Sequence, residues 1–307
     1  MLVSLTKLLK KAKRHGYAVG AFNINNLEIL QSVIKAAEAE RSPVIISTSE
    51  GAIQYAGMEQ LAMMTLVASK KTRLPIAFHL DHGKDVRLIT KAIKSGLYTS
   101  VMFDGSHLPY KENVKITKRL ARLARSRDVS LEAELGAIAG IEDFVSVEEK
   151  DAHLTDPKQA QEFVKETGCD AIAIAIGTSH GAYKYEGSSK LDYKRLEEIR
   201  KRVRVPLVLH GASGVPASIK KQCMKYGCEI AKAKGVSDSS IKRAVAGGIN
   251  KVNIDTDLRI AFDAGVRKFL HHNPEVIDPR KILGPAKDLM TKVVQQKMRL
   301  FGSSGKA

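Results

Sequence analysis

Three histidines, His82, His180 and His210, follow short apolar runs in three separate parts of the chain. Neutral imidazoles from distant segments, with a fourth position left open, are the ligand set of a catalytic Zn2+. A lone histidine is more often a hydrogen-bonded core or surface residue, and that blander reading suits His15, His153, His271 and His272. His79 shares strand parity with Asp81 and reads as inward-facing filler or as support behind a ligand. His107 is open between the readings. Asp81, beside His82 in "HLDHG", is a candidate general acid/base. Its alternative is a carboxylate that only orients a ligand imidazole. Asp104 and Glu134 fit a second, looser divalent metal position, or else a plain hydrogen-bond network.

A second group of residues has the make-up of a phosphate cradle. It comprises Gly181, the turn Gly211-Ala212-Ser213 and the run Asn253-Ile254-Asp255-Thr256. Glycine lets the backbone come close, and successive N–H groups then point at the anion. Arg259, just inside the next helical pattern, is placed for a second phosphate. Lys184 lies near His180 in sequence and joins the substrate-binding candidates. No lysine closes an apolar strand run, which argues against a Schiff-base mechanism.

These residues need elements to bring them together. Short β-branched runs at 17–24, 43–50, 75–82, 100–106, 130–136, 171–177, 206–211 and 251–256 alternate with amphipathic helical patterns. Alternation of this kind implies parallel strands with right-handed crossovers. Eight units in this length predict an α/β fold, a (β/α)8 TIM barrel forming one domain over 1–307, with an extra C-terminal helix. The polar residues all stand at the carboxyl ends of strands, where such barrels keep their active sites. Two places break the rhythm: a long loop at 137–156 and an insert at 226–237.

"HLDHG", "LEAELG", "AIGTSHGAYK", "PLVLHGASGVP" and "GGINKVNIDTDLR" occur in this order along nearly the whole chain. In these motifs it resembles the class II, zinc-dependent fructose-1,6-bisphosphate aldolases, and the insert is similar to that of the class IIB subgroup. The resemblance implies reversible cleavage of fructose 1,6-bisphosphate to dihydroxyacetone phosphate and glyceraldehyde 3-phosphate, in glycolysis and gluconeogenesis. It implies zinc on His82, His180 and His210, and proton transfer at the C4 hydroxyl by Asp81. Asp104 and Glu134 match a secondary metal site, and Gly181, Gly211, Ala212, Ser213 and 253–256 match the dihydroxyacetone-phosphate pocket. Asn23 and Ser49 match substrate contacts, Glu142 the mobile acid that exchanges the C3 proton, and Arg259 a contact to the C6 phosphate. A monovalent cation (Na+ or K+) and a homodimer or homotetramer are implied as well. Tagatose-1,6-bisphosphate aldolase shares the site and is the nearest alternative; Asp255 fits the fructose side.

Bulk properties narrow the field. The net charge is +17, but the basic residues alternate with acids and apolar residues as on solvated helix faces. Aromatics make up 5%, with no basic–aromatic interleaving for base stacking, so nucleic-acid binding or a surface-interaction role is the remote alternative. No apolar run approaches the ~20 residues of a membrane helix. The basic N-terminus reads as a first surface helix, and the three cysteines as buried thiols in a reducing cytoplasm.

Overall fold

The computed structural model describes residues 1–142, 145–147, 153–180, 191–231 and 233–307. Helix α1 (Leu5–His15) leads into β1 (Val19–Asn23), α2 (Leu27–Glu40), β2 (Val44–Thr48), α3 (Glu50–Ala56), α4 (Met58–Lys70) and β3 (Ile76–Gly83). Then come α5 (Val86–Lys94), β4 (Ser100–Phe103), α6 (Tyr110–Arg125), β5 (Ser130–Leu135), β6 (Ala139–Glu142), β7 (Val145–Val147) and α7 (Pro157–Thr167). The chain continues through β8 (Ala171–Ile174), β9 (Ser179–His180), α8 (Tyr193–Arg202), β10 (Leu207–Leu209), α9 (Ala217–Lys225) and α10 (Asp238–Gly247). It closes with β11 (Ile249–Ile254), α11 (Thr256–His272) and α12 (Pro279–Leu300).

Eight of these strands form a closed barrel in the order β1-β11-β10-β8-β5-β4-β3-β2. Every pairing in it is parallel. The expected strands are therefore all present; most are trimmed by a few residues, while β3 runs on to Gly83 and β11 begins earlier, at Ile249. Their residues are buried on both faces, which is why several of them, such as β8, read as continuous apolar runs; β5 and β11 instead interleave apolar with buried polar residues.

The core has two layers. Side chains such as Phe22, Phe78, Phe103 and Leu131 pack outward against the helices. Val19, Ala21, Ile45, Ala77, Met102, Ala173 and Val208 fill the barrel and meet Leu5, Leu8, Leu9 and Ala12 of α1. Helix α1 is thus a plug under the barrel floor rather than a surface helix. Ser4 caps its start through Lys7 N–H, and Gly16 ends it at φ 67°. With the floor sealed largely by apolar side chains, the buried carboxylates and imidazoles gather toward the opposite, carboxyl end.

The segment 137–156 differs from the loop expected. β6 and β7 pair antiparallel, Ile141 opposite Ser146, and β6 runs parallel to β9 with Gly140 beside His180. At the other end of the chain, α11 and α12 pack closely. A Cβ on Gly265 would lie 2.5 Å from Ala286 Cα. Replacing Gly265 with Val should therefore separate the helices and cost about 1–3 kcal/mol. Thermal unfolding checks this, with a lower Tm expected.

Candidate active site

Strand β3 delivers two neighbouring side chains to one place by breaking its own pattern. Alternation turns His79 and Asp81 inward and Leu80 out into the helix-facing core. The register with β4 then shifts between Leu80 and Gly83, and His82 takes φ 47°. A left-handed non-glycine residue is uncommon, and it persists only where the surrounding structure holds it. The bulge swings His82 to the side that Asp81 already faces. Ligand atoms of Asp81, His82 and His210 lie within 4.8 Å of one another, and the rings of His82 and His210 are 4.3 Å apart.

Carboxylates set the tautomer of both imidazoles. His82 Nδ1 donates to Asp104 at 3.2 Å, which leaves the lone pair on Nε2. His210 Nε2 donates to Glu132 at 2.9 Å, which leaves it on Nδ1. Such partners are what orient metal-binding histidines. Glu132 is held in turn by Lys251, whose Nζ lies 2.9 and 2.8 Å from its two oxygens. The same ammonium donates to His79 Nε2 at 3.2 Å, and His79 Nδ1 donates to Ser100 at 2.7 Å. His79 is therefore tied to Lys251 and Ser100, behind the candidate ligand His210.

No lysine closes a strand, but one, Lys251, stands in the middle of β11. It is fully buried inside β11, and Glu132 gives it a salt bridge rather than a free amine. It was missed because a lone Lys after "GGIN" carries no spacing signal. Glu132 could have been found from the period-two placement of Glu132 and Glu134 on β5.

The site is rich in negative charge. Asp81, Asp104, Glu132 and Glu134 are all buried, and Lys251 is the ammonium that reaches Glu132 and lies 3.9 Å from Asp81. Burial opposes ionisation of Asp104, yet the His82 imidazole and two bonds from Ser106 hold its carboxyl far below the usual range. Burial pushes the Glu134 carboxyl well up, with the charge of Asp104 adding to it. His79 is held far below an ordinary histidine by burial and by Lys251, so it is neutral. Glu134 Oε2 is buried with no hydrogen bond among the described residues. His82, Asp104 and Glu134 bring ligand atoms within 4.8 Å of one another. Two overlapping donor sets, an orphaned carboxylate oxygen and surplus buried charge all fit a divalent cation.

Asp81 is gripped from two sides. Asn23 Nδ2 donates to one oxygen at 3.1 Å and Asn253 Nδ2 to the other at 2.7 Å. The amide oxygens of both asparagines are buried without a hydrogen-bond partner among the described residues.

The cradle loop after β10 is shaped by close approaches. Gly211 has φ 62°, and a Cβ there would lie 2.6 Å from the Ser179 carbonyl oxygen. This contact sets the backbone at the His210 tip directly beside that of Ser179–His180. Asp257 of α11 then holds the loop, taking N–H bonds from Gly214 at 3.0 Å and Val215 at 2.7 Å. Lys297 of α12 lies 3.1 Å from Asp257, and both are buried. Neither residue was singled out from sequence, because the clasp spans two helices and has no local motif. Ala212, Ser213, Asn253, Ile254 and Asp255 are buried at the same rim, with Thr256 half-buried.

Other expected residues have different surroundings. Arg259 pairs with Asp255 at 2.6 Å, and Ser49 caps α3 through Ala52 N–H at 3.2 Å. His15, His107, His153, His271 and His272 are exposed. Gly181 and Lys184 lie outside the described residues, as do the side chains of His180 and Glu142.

A closed parallel barrel with a buried carboxylate–imidazole cluster at its carboxyl end defines a TIM-barrel enzyme of the metal-assisted kind. A family model described as fructose-bisphosphate aldolase class-II matches residues 3–306. Fructose-bisphosphate aldolase from Thermus caldophilus is 49% identical over 307 residues, covering 100% of both chains. That of Helicobacter pylori strain 26695 is 46% identical, again covering 100% of both. The crystal structure of the YdjI aldolase from Escherichia coli K12 matches with a TM-score of 0.82 and 33% identity, covering 100% of both chains. The chain belongs to the class II fructose-bisphosphate aldolase family, whose members are metal-dependent lyases of phosphorylated sugars. Among the described residues no helix is long and apolar enough to cross a membrane.

Replacing Lys251 with Met should leave Glu132 unpaired and loosen His210. Zinc affinity, measured by competition with a chromogenic chelator, should fall about 10–100-fold. Unchanged affinity would remove Lys251 from the metal support. Lys297→Met should free the cradle loop and raise KM for the phosphorylated substrate more than it lowers kcat; steady-state kinetics would read a pure kcat loss as contrary.

Proposed function

We propose that this chain is a metal-dependent aldolase that reversibly cleaves fructose 1,6-bisphosphate into dihydroxyacetone phosphate and glyceraldehyde 3-phosphate. The observation that carries the reading is Asp81, clamped at 3.1 and 2.7 Å by two asparagines, beside the His82–His210 pair. In this reading His82, His180 and His210 hold Zn2+, and Asp104 and Glu134 offer a second divalent position. A monovalent cation would balance charge near the phosphate. When bound, Zn2+ would supply Lewis-acid stabilisation of the charge that develops on the ketone as the C3–C4 bond breaks.

The protein's own groups would do the rest. Asp81 takes the proton of the C4 hydroxyl, C4 becomes the aldehyde carbon, and the bonding pair passes to C3. The asparagine amides keep the Asp81 carboxylate turned to that hydroxyl through both directions of the reaction. Glu142, carried on β6 next to the His180 strand, returns a proton to C3 and so releases dihydroxyacetone phosphate. Gly181, Gly211, Ala212, Ser213 and 253–256 present backbone N–H groups to one phosphate, with Lys184 nearby. For Arg259 to meet the other phosphate it must share its guanidinium with Asp255. Asn23 and Ser49 complete the sugar contacts.

The catalytic unit is read as one domain over 1–307, working as a cytoplasmic homodimer or homotetramer without nucleic-acid or membrane partners. Relatives named fructose-bisphosphate aldolase at 49% and 46% identity support fructose over tagatose bisphosphate.

Chelation with EDTA should abolish cleavage and added Zn2+ should restore it; full activity in a verified metal-free sample would end the metal reading. Asp81→Ala should keep its zinc and lose about 10²–10⁴-fold in kcat. A variant turning over at the native rate would leave Asp81 with an orienting role only.

A further inference from the structure

Helix α9 and the insert that follows it contribute a thiol pair that the aldolase chemistry does not use. Helix α9 ends at Lys225, and Gly227 at φ 89° turns the chain back. Cys228 N–H then donates to the Cys223 carbonyl at 3.2 Å, which sets the two residues side by side. Cys223 is buried and donates to Asp263 Oδ2 at 3.3 Å, whereas Cys228 is partly open to solvent. Ligand atoms of Cys223, Cys228 and Asp263 lie within 4.8 Å of one another. Arg267 fixes the group from outside: its Nε lies 2.8 Å from both Asp263 oxygens, and it donates to the Gly227 carbonyl at 2.9 Å. A guanidinium that occupies both oxygens of the one carboxylate argues against a metal ion here. The two sulfurs lie within reach of each other.

We propose that Cys223 and Cys228 are a redox dithiol that a hydroperoxide closes to a disulfide. Cys228, the solvent-reached member, gives up its proton and attacks the peroxide O–O bond. Water leaves, and Cys228 becomes a sulfenic acid. The Cys223 sulfur then attacks the Cys228 sulfur, and its proton passes to Asp263, the acceptor it already contacts. The departing hydroxide takes that proton up as a second water. Two thiols lose two electrons, and one hydrogen peroxide becomes two waters. A thiol reductant reverses the change by exchange.

The pair is mechanically linked to the cradle. At the far end of the same insert, Val236 N–H donates to the Ser213 carbonyl at 3.1 Å. Gly235 packs so tightly that a Cβ would lie 2.1 Å from the Gly214 carbonyl carbon. Cross-linking the near end restrains the segment whose far end supports the phosphate loop. This coupling rests on the aldolase reading; the dithiol itself does not.

The full chain with its metal is treated with excess hydrogen peroxide, quenched with catalase, denatured and alkylated, and its intact mass is recorded. Of the three cysteines, oxidised protein should take one alkyl group, on Cys169, and dithiothreitol should restore all three. Cys228→Ser should keep both remaining thiols alkylatable. Three alkylated thiols after peroxide would overturn the proposal, as would stable over-oxidation of Cys228 without a link. Zinc bound by the reduced wild type beyond what Cys228→Ser holds would overturn it in favour of a metal site. For the coupling, oxidised wild type should show KM raised about fivefold or more. Equal KM would sever the pair from the cradle, and an equal rise in peroxide-treated Cys228→Ser would trace the effect elsewhere. Thiol counting needs no activity, so it reads the pair even if the aldolase assignment failed.

Discussion

A lysine cannot stay charged inside a barrel without a carboxylate, and a carboxylate cannot stay charged there without a cation. The Lys251–Glu132 contact at 2.8 Å satisfies both demands at once. It stands just above the apolar floor sealed by α1 and just below the residues that carry chemistry. Glu132 passes the constraint to His210, Lys251 passes it to His79 and through it to Ser100. One ion pair thereby fixes two ring orientations on different strands. Removing either partner would leave a buried charge uncompensated, a loss that ordinarily costs about 3–5 kcal/mol.

The mouth above this pair is assembled from opposed needs. Asp104, Glu134 and Asp81 bring more negative charge than Lys251 balances, so the arrangement is incomplete as protein alone. Glu134 answers by holding its proton and Asp104 by leaning on His82. A divalent cation would relieve both, which is why surplus carboxylate and paired imidazoles make sense together. Asp81 is held at both oxygens by amide donors, with the Lys251 ammonium 3.9 Å away. Its two asparagines come from β1 and β11, neighbours across the barrel closure, so the clamp exists only because the barrel is closed.

The fold was legible because its signal is repetitive. Eight apolar runs alternating with amphipathic helices leave little besides a parallel barrel, and strand-end polar residues then converge by geometry. Asp81, His82, Asp104, Glu134 and His210 were legible for that reason, and they do come together. Lys251, Asp257 and Lys297 were not. Each is a single charged residue whose partner lies far away in sequence, and its burial is decided only when the barrel closes or when α12 packs on α11. The β6–β7 hairpin was illegible because its strands are three and four residues long, too short for periodicity to register. Helix α1 was misplaced to the surface because its lysines dominate the composition while four small and branched apolar residues do the packing.

The central claim is that imidazole nitrogens oriented by Asp104 and Glu132 hold the metal. X-ray absorption at the zinc edge of the loaded protein tests it most directly. The account predicts a first shell with three nitrogen scatterers at about 2.0–2.1 Å, with imidazole multiple scattering that weakens in His210→Ala. A shell of oxygen or sulfur alone, unchanged by that substitution, would contradict it.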